Sequence, residues 1–432
     1  MNDKLAEEEE LHEALLNAND SSAPGLDGLP YGFYKTFPSL MRPLARILSL
    51  VMDGKAALPA SMEKDVTIPI YKNKGDRNSA INYRPIKLIN CDAKLGMCLI
   101  RDRTLAWILE STCVSMEQMG FIKGRKITDA LLSVMDALYF SEETASNMAV
   151  LNVDWKNAYD VVHRGGEEGW LYRTLRHHGM GDRCLALIKA FHDNAQGQVL
   201  INGWLSPSFC IKSGVRQGDP SAPLLFLISL QPLLYFLAKH KTFRLTGAPV
   251  PVVGPVQEKR HIMTSNSPLA VQAFADDCSF FFTTLLALMY LFLVLKLWGW
   301  ASASSLNAHK SWLLRASPYS ITDLPITWTA LFIVVSLFLR LPAWITLSPF
   351  LLLAWMWWII CSFSGQSCSN PRRLLGLTMT PQGSSSLTVL EMTNVLESVF
   401  KRWSTASLST AGRTYIANSE ALSKFWVLYV GP

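Results

Sequence analysis

The stretch "AVQAFADDCSFFFTT", residues 270–284, places two adjacent carboxylates, Asp276 and Asp277, inside an otherwise apolar run. Desolvating an unpaired carboxylate costs several kcal/mol unless it is neutralised or meets a cation, so something positive is implied beside them. The run reads as two strands joined by a tight turn at the two acids. Neighbours on a flat strand point to opposite faces, but a tight turn breaks that alternation and lets both acids reach one place. A third carboxylate, Asp154, ends another β-type run in "AVLNVDWKNAYD". Two strand-end acids plus one more are what a pair of Mg²⁺ ions, about 3.5–4 Å apart, requires for in-line phosphoryl transfer. One ion would activate an attacking 3′-hydroxyl and the other would hold the departing pyrophosphate. An isolated Asp-Asp pair is usually a surface turn; the joint arrangement of three acids favours the metal reading.

Outward from this stretch, 432 residues give room for two or three domains with real cores. The net charge of +6 suits a nucleic-acid partner, though many ordinary proteins are as basic. None of the eight cysteines forms a CxxC pair or a zinc-spaced Cys/His cluster, which predicts reduced, buried thiols in an intracellular protein. Residues 3–18 read as an acidic amphipathic helix and not as a secretory signal. From about 38 to 145, helical runs such as "LMRPLARILSLVM" alternate with β-rich pieces such as "DVTIPIY". "GQVLINGWLSPSFCIKSG" (197–214) predicts a hairpin around Asn202-Gly203, and Pro220 is expected to open a long apolar helix to about 238.

Composition shifts at about 285. Residues 285–369 hold only five formally charged side chains, Lys296, Lys310, Arg315, Asp323 and Arg340, and eight of the fourteen tryptophans. Amphipathic periodicity returns in "LTVLEMTNVLESVFKRW".

Taken together, the segments resemble the reverse transcriptase domain of non-LTR (LINE-type) retrotransposons. "NVDWKNAYD", "SGVRQGDPSAPLLF" and "FADD" resemble its successive palm motifs, and "SAPGLDGLPYGFYK", "IPIYKNKGD", "NYRPIKLIN" and "MGFIKGRKITDAL" its fingers motifs. "ASASSLNAHKS", "LLGLTMT" and "RWSTASLSTAGRTYIANS" resemble the motif beyond the catalytic loop, the primer-gripping turn and the start of the thumb. The resemblance covers roughly 10–312 and 372–432. It implies an α+β right-hand polymerase with fingers, a palm bearing an antiparallel sheet, and a truncated helical thumb. The implied order is an N-terminal helix (1–20), fingers (21–148), the first catalytic palm strand (149–164), a fingers/palm connection (165–212), and palm with the catalytic turn (213–312). An anomalous hydrophobic segment (313–371), then primer grip and partial thumb (372–432), complete it.

The resemblance implies RNA-directed DNA synthesis from template RNA, DNA primer and deoxynucleoside triphosphates, with two Mg²⁺ or in their place Mn²⁺. Asp154, Asp276 and Asp277 would hold the metals, and Lys310 would protonate the leaving pyrophosphate. Tyr159 would act as a steric gate against a ribose 2′-hydroxyl. Gln217 and Gly218 would pack against the nascent base pair, while Arg84, Lys72 and Lys74 would neutralise the triphosphate. Arg125, Arg216, Gly376 and Arg413 would contact nucleic acid. A location in nucleus and cytoplasm, as ribonucleoprotein, follows from the resemblance, and target-site cleavage would come from elsewhere or be lost. The chain departs from the family at Asn157 (commonly Lys), Ala222 (Ser) and Ala303 (Gly).

The 285–369 window departs most, since its first helix is apolar nearly all round. A transmembrane hairpin over 326–339 and 343–363 meets the length criterion only in its second half and would split the palm. A hydrophobic insertion would need a partner to cover it. Text read out of frame, or an unspliced or mutated stretch, in a decaying copy is favoured, because tryptophan enrichment and acid loss without periodicity are what shifted reading yields. A catalytically inactive remnant that at most binds RNA is accordingly the rival functional reading.

Overall fold

The structure, a computed structural model, describes residues 3–73, 75–111, 113–143, 148–166, 169–239, 270–307 and 310–315, with three short strands between 372 and 384. Lys74, Gly376, Arg413 and the apolar stretch 326–363 lie outside the described residues. The strands are β1 Lys64–Tyr71, β2 Tyr83–Ile89, β3 Ala149–Val153, β4 Gln196–Ile201, β5 Trp204–Leu205, β6 Phe209–Cys210, β7 Val271–Phe274, β8 Asp277–Phe282 and β9 Trp312–Arg315, followed by β10 Arg372–Leu374, β11 Leu377–Thr380 and β12 Gly383–Ser384. The chain is α+β and forms two compact units. Met1–Lys123, Trp155–Tyr235 and Leu295–Ser305 make the first; Gly124–Asp154, Phe236–Val294 and Leu306–Pro432 make the second.

In the first unit, β1 pairs antiparallel with β2 and parallel with β4, and β4 in turn pairs with β5 and β6. The predicted hairpin forms: Asn202 and Gly203 take φ of 51° and 85°, the left-handed geometry that lets a two-residue turn match strand twist. Helix Met41–Met52 buries Met41, Leu44, Ala45, Leu48, Val51 and Met52, the apolar stripe that its 3.6-residue spacing dictates. It packs near Cys91–Glu110 and Asp182–Asp193, where a Cβ on Gly96 would come within 2.7 Å of the Phe191 ring. The N-terminal helix is shorter than expected, Glu8–Leu16. Arg103 ties it down, donating to the Glu10 carboxylate and to the Lys4 and Leu5 carbonyls.

The long apolar helix begins at Ala222, two residues beyond Pro220, and runs to Lys239. Asp219 sets its start by accepting bonds from both the amide and the hydroxyl of Ser221 at 2.7 Å. Among the described residues this is the one helix long and apolar enough to cross a membrane, yet it is mostly buried, with Leu225, Phe226, Leu227 and Ile228 in the core.

In the second unit the strand order is β7-β8-β3-β9, every pair antiparallel. β3 is buried along its whole length, which is why it reads as an unbroken apolar run instead of an alternating one. β9 pairs with β3 through Ala149↔Arg315, so the first residues of the supposed anomalous segment belong to this sheet. Strands β10, β11 and β12 form a separate antiparallel sheet.

Helix Leu285–Ser302 buries Ala287, Leu288, Leu291, Phe292, Leu293, Val294, Leu295 and Trp298. A helix covered on most sides has no need of a polar face. Its uniform apolarity is that of a core helix.

Candidate active site

The site begins with the β7–β8 hairpin. Phe274 pairs with Asp277, leaving Ala275 and Asp276 as the connecting residues. Ala275 takes φ 56°, a left-handed conformation that costs a non-glycine residue about 1–2 kcal/mol. That turn departs from strand alternation, as the paired acids require. β3 lies on the other side of β8, with Val153 opposite Cys278. One residue further along each strand stand Asp154 and Asp277, so the register puts them side by side at a shared strand end. The three acids predicted from sequence are therefore brought to one corner of one unit.

The corner is half-buried and short of positive charge. Burial raises the Asp277 pKa to about 6, with the neighbouring Asp276 and Asp154 carboxylates adding to the rise and Lys310 opposing it. Burial also raises Asp276, with Asp154 contributing and a backbone hydrogen bond acting the other way. Lys310 Nζ stands 3.5 Å from Asp154 Oδ2, on a side chain 69 % exposed. Asn307 Nδ2 donates to the same oxygen at 2.9 Å, and the Asn307 amide donates to the Asp154 carbonyl, also at 2.9 Å. The Asp154 amide donates to Ser311 Oγ at 3.1 Å. Sequence reasoning does not single out Asn307 and Ser311, although both flank Lys310 in "NAHKS"; an amide three residues before a candidate lysine is the available signal.

Three carboxylates against one mostly exposed lysine leave a negative excess that a hard divalent cation would relieve. The donors, carboxylate oxygens without thiol or imidazole, suit Mg²⁺ or Mn²⁺. Among the described residues no three acidic, histidine or cysteine side chains converge into a closed ligand set. Charge and donor chemistry fit a metal; Asp154 is meanwhile oriented by Asn307 and Lys310.

Tyr159, Gln217 and Gly218 belong to the first unit. The Tyr159 ring packs 4.8 Å from Phe226. Gln217 Nε2 donates to both Asp160 oxygens at 3.1 Å, a partnership that sequence reasoning misses. Gly218 has φ 111°, and a Cβ there would stand 2.5 Å from the Lys87 carbonyl, so the close approach it permits is to β2 of its own unit. Arg84 is exposed on β2 and Lys72 is exposed just after β1, its Nζ donating to the Ile81 carbonyl at 2.7 Å. Arg125 is half-buried.

Arg216 departs from expectation. It is 1 % exposed, donates to the Phe191 carbonyl at 2.7 Å and faces Asp65 at 3.8 Å. Its charge balances buried acids and is not offered to a nucleic acid. Two of the family departures acquire a backbone reason. Ala303 has φ 62° and Asn157 φ 51°; glycine is unstrained at such a position, and asparagine tolerates it better than most.

Residues 70–333 match the family model described as reverse transcriptase (RNA-dependent DNA polymerase). The chain is 30 % identical over 240 residues to an uncharacterised 149 kDa protein of transposon TX1 from Xenopus laevis, a match covering 55 % of this chain and 17 % of that protein. It is 25 % identical over 271 residues to the retrovirus-related Pol polyprotein from the type-2 retrotransposable element R2DM of Drosophila melanogaster, covering 63 % and 23 %. A Pol polyprotein from a type-1 retrotransposable element R2 of Popillia japonica is 27 % identical over 222 residues, covering 49 % and 28 %. The chain thus spans about a quarter or less of the first two relatives. The family match runs through helix Leu285–Ser302 and β9 to residue 333. A match over more than half the chain, together with relatives of the transposon TX1 and R2 type, makes the chain a member of the reverse transcriptase (RNA-dependent DNA polymerase) family, of the non-LTR retrotransposon kind.

Proposed function

We propose that the chain copies RNA into DNA, extending a primer 3′-hydroxyl with deoxynucleotides by two-metal nucleotidyl transfer. The observation that carries this reading is the register of β3 against β8, which brings Asp154 beside the Asp276–Asp277 turn. Bound at these carboxylates, a pair of Mg²⁺ ions would supply a lowered pKa for the attacking hydroxyl and charge neutralisation for the pyrophosphate. The chain's own residues hold and orient. Asn307 fixes one Asp154 oxygen, leaving the carboxylate a defined direction. Lys310, exposed beside Asp154, would pass a proton to the leaving pyrophosphate. Tyr159, braced by Phe226, would exclude a 2′-hydroxyl by its ring. Gln217, oriented by Asp160, and Gly218 would line the nascent pair. Arg84 and Lys72, with Lys74, would meet the triphosphate, and Arg125 the template backbone. The grip and thumb contacts assigned to Gly376 and Arg413, and a ribonucleoprotein shared between nucleus and cytoplasm, rest on the family resemblance.

A second reading, a remnant that binds RNA without polymerising, is favoured by the strained Ala303 and by the lack of a closed ligand set among the described residues. Primer extension by the purified chain on poly(rA)·oligo(dT) with Mg²⁺ separates the two. Incorporation that disappears in Asp276→Asn supports the polymerase. Bound RNA without incorporation in the wild type supports the remnant.

A further inference from the structure

Outside the acidic corner, the first unit contains an open cleft of about 830 Å³ whose lining includes Trp170, Trp300, Arg173, Arg176, His163 and His177. Its volume lies in the range of small-ligand and nucleotide sites. Helix Trp170–His177 buries Leu171, Tyr172, Thr174 and Leu175 and turns Arg173, Arg176 and His177 to solvent. The end of that helix explains two of these, since positive charge is favoured in a last turn. It does not explain the tryptophans.

Trp300 is 66 % exposed at the end of its helix, an unusual place for the largest apolar side chain. Trp170 is fixed, its Nε1 donating to the Ser229 carbonyl at 2.9 Å. Its backbone amide donates to His163 Nδ1 at 3.4 Å. Arg176 makes no ion pair among the described residues, and no acidic side chain lines the cleft among them; Glu167 and Glu168, in the adjoining loop, lie outside the described set. Aromatic surfaces beside guanidinium groups are what sequence-tolerant single-strand recognition uses: bases stack and phosphates meet the cations.

We propose that this cleft is a second nucleic-acid site, taking a short segment of single-stranded RNA with a base stacked on Trp300 or Trp170 and a phosphate on Arg176. The choice of RNA over DNA rests on the proposed function, in which RNA is the strand that stays single until copied. The occupancy itself rests on the cleft.

The test is fluorescence anisotropy of labelled rC12, which pairs with neither competitor strand, with the full chain, nucleotides omitted, in the presence of a saturating unlabelled poly(rA)·oligo(dT) duplex. Wild type should still bind. Trp300→Ala should weaken that binding about tenfold, and Trp300→Phe should restore most of it. Arg176→Gln should lower the slope of log K against log salt by about 0.7. Binding abolished by the duplex, or left unchanged by all three substitutions, overturns the second site. Tighter binding of dC12 than of rC12 overturns the assignment to RNA. Because no polymerisation is read, a chain that fails to extend primers still shows whether the cleft holds RNA.

Discussion

Two clusters of carboxylates, one in each unit, have opposite charge balances. In the second unit Asp154, Asp276 and Asp277 share a half-exposed corner with one lysine, and burial with mutual repulsion pushes the Asp277 pKa up to about 6. In the first unit Asp65 and Asp219 are fully buried, with Lys87 3.9 Å and Arg216 3.8 Å from Asp65 and His192 3.5 Å from Asp219. There two cations offset two acids, and the group holds Arg216, Gln217 and Gly218 against β2, where the Lys87 amide donates to the Gln217 carbonyl. A balanced, dry cluster stabilises one arrangement of the chain, and breaking it leaves a lone buried charge. An unbalanced, open one is poised for an added cation and destabilises the chain without it.

That contrast breaks most clearly if the corner is neutralised. Asp277→Asn should reduce primer extension at least about a thousandfold, roughly 4 kcal/mol of lost transition-state stabilisation. Its effect on stability should have the opposite sign. The folded-state pKa of Asp277 is raised, so at pH 7 the native chain carries a charge it would rather protonate, and removing it should gain about 1 kcal/mol after solvent screening. A metal-free melting curve should then shift up by about 2–4 °C, with Mg²⁺ closing the gap by stabilising the wild type alone. A variant that is both inactive and less stable would mean that Asp277 is a structural acid.

The buried cluster should answer the other way. Arg216→Met removes a cation that faces Asp65 and should cost about 3–4 kcal/mol of folding stability, read from a urea midpoint. Asp276→Asn in the same assay should cost nothing. If Arg216→Met folds normally and instead weakens RNA binding, the nucleic-acid role expected for Arg216 returns.

These partnerships set the limits of what sequence can convey. The acidic turn, the Asn202-Gly203 hairpin and the stripe of Met41–Met52 are legible because each is written in neighbouring residues, as turn chemistry or as a period. Arg216 misleads because "GVRQGDP" marks a position without saying that Asp65, from a distant strand, waits there in the interior. Helix Leu285–Ser302 looks foreign because amphipathic periodicity signals only a helix with one wet face; a helix covered nearly all round has no period to detect. Asn307 escapes notice for a related reason, since its part is to orient Asp154, and orientation is a property of the fold. At Ala303 the sequence shows a departure from glycine, but only the backbone, at φ 62°, shows what that departure strains.

The smallest test lies within the buried cluster and concerns pH. His192 is wholly enclosed. Burial holds its pKa well below the ordinary imidazole value, and Arg216, Arg164 and Lys87 add to that fall, opposed by the bond from the ring to the Ile188 carbonyl. An unfolded chain protonates this histidine below about pH 6.5, whereas the native one does not. Stability from His192 is therefore complete above that pH and declines below it, by at most about 1.4 kcal/mol per pH unit. Asp65 and Asp219, raised by burial, run the opposite way, because the native state keeps their protons to higher pH than the unfolded state does. The raw stability curve mixes these slopes; the difference between wild type and His192→Gln isolates one of them. Between pH 6 and 5 the wild type should lose about 1 kcal/mol relative to the variant, measured by urea unfolding at each pH. Parallel curves would mean that His192 takes up its proton inside the fold with Asp219 as counter-ion, giving the buried cluster a net positive charge in place of the balance that distinguishes it from the acidic corner.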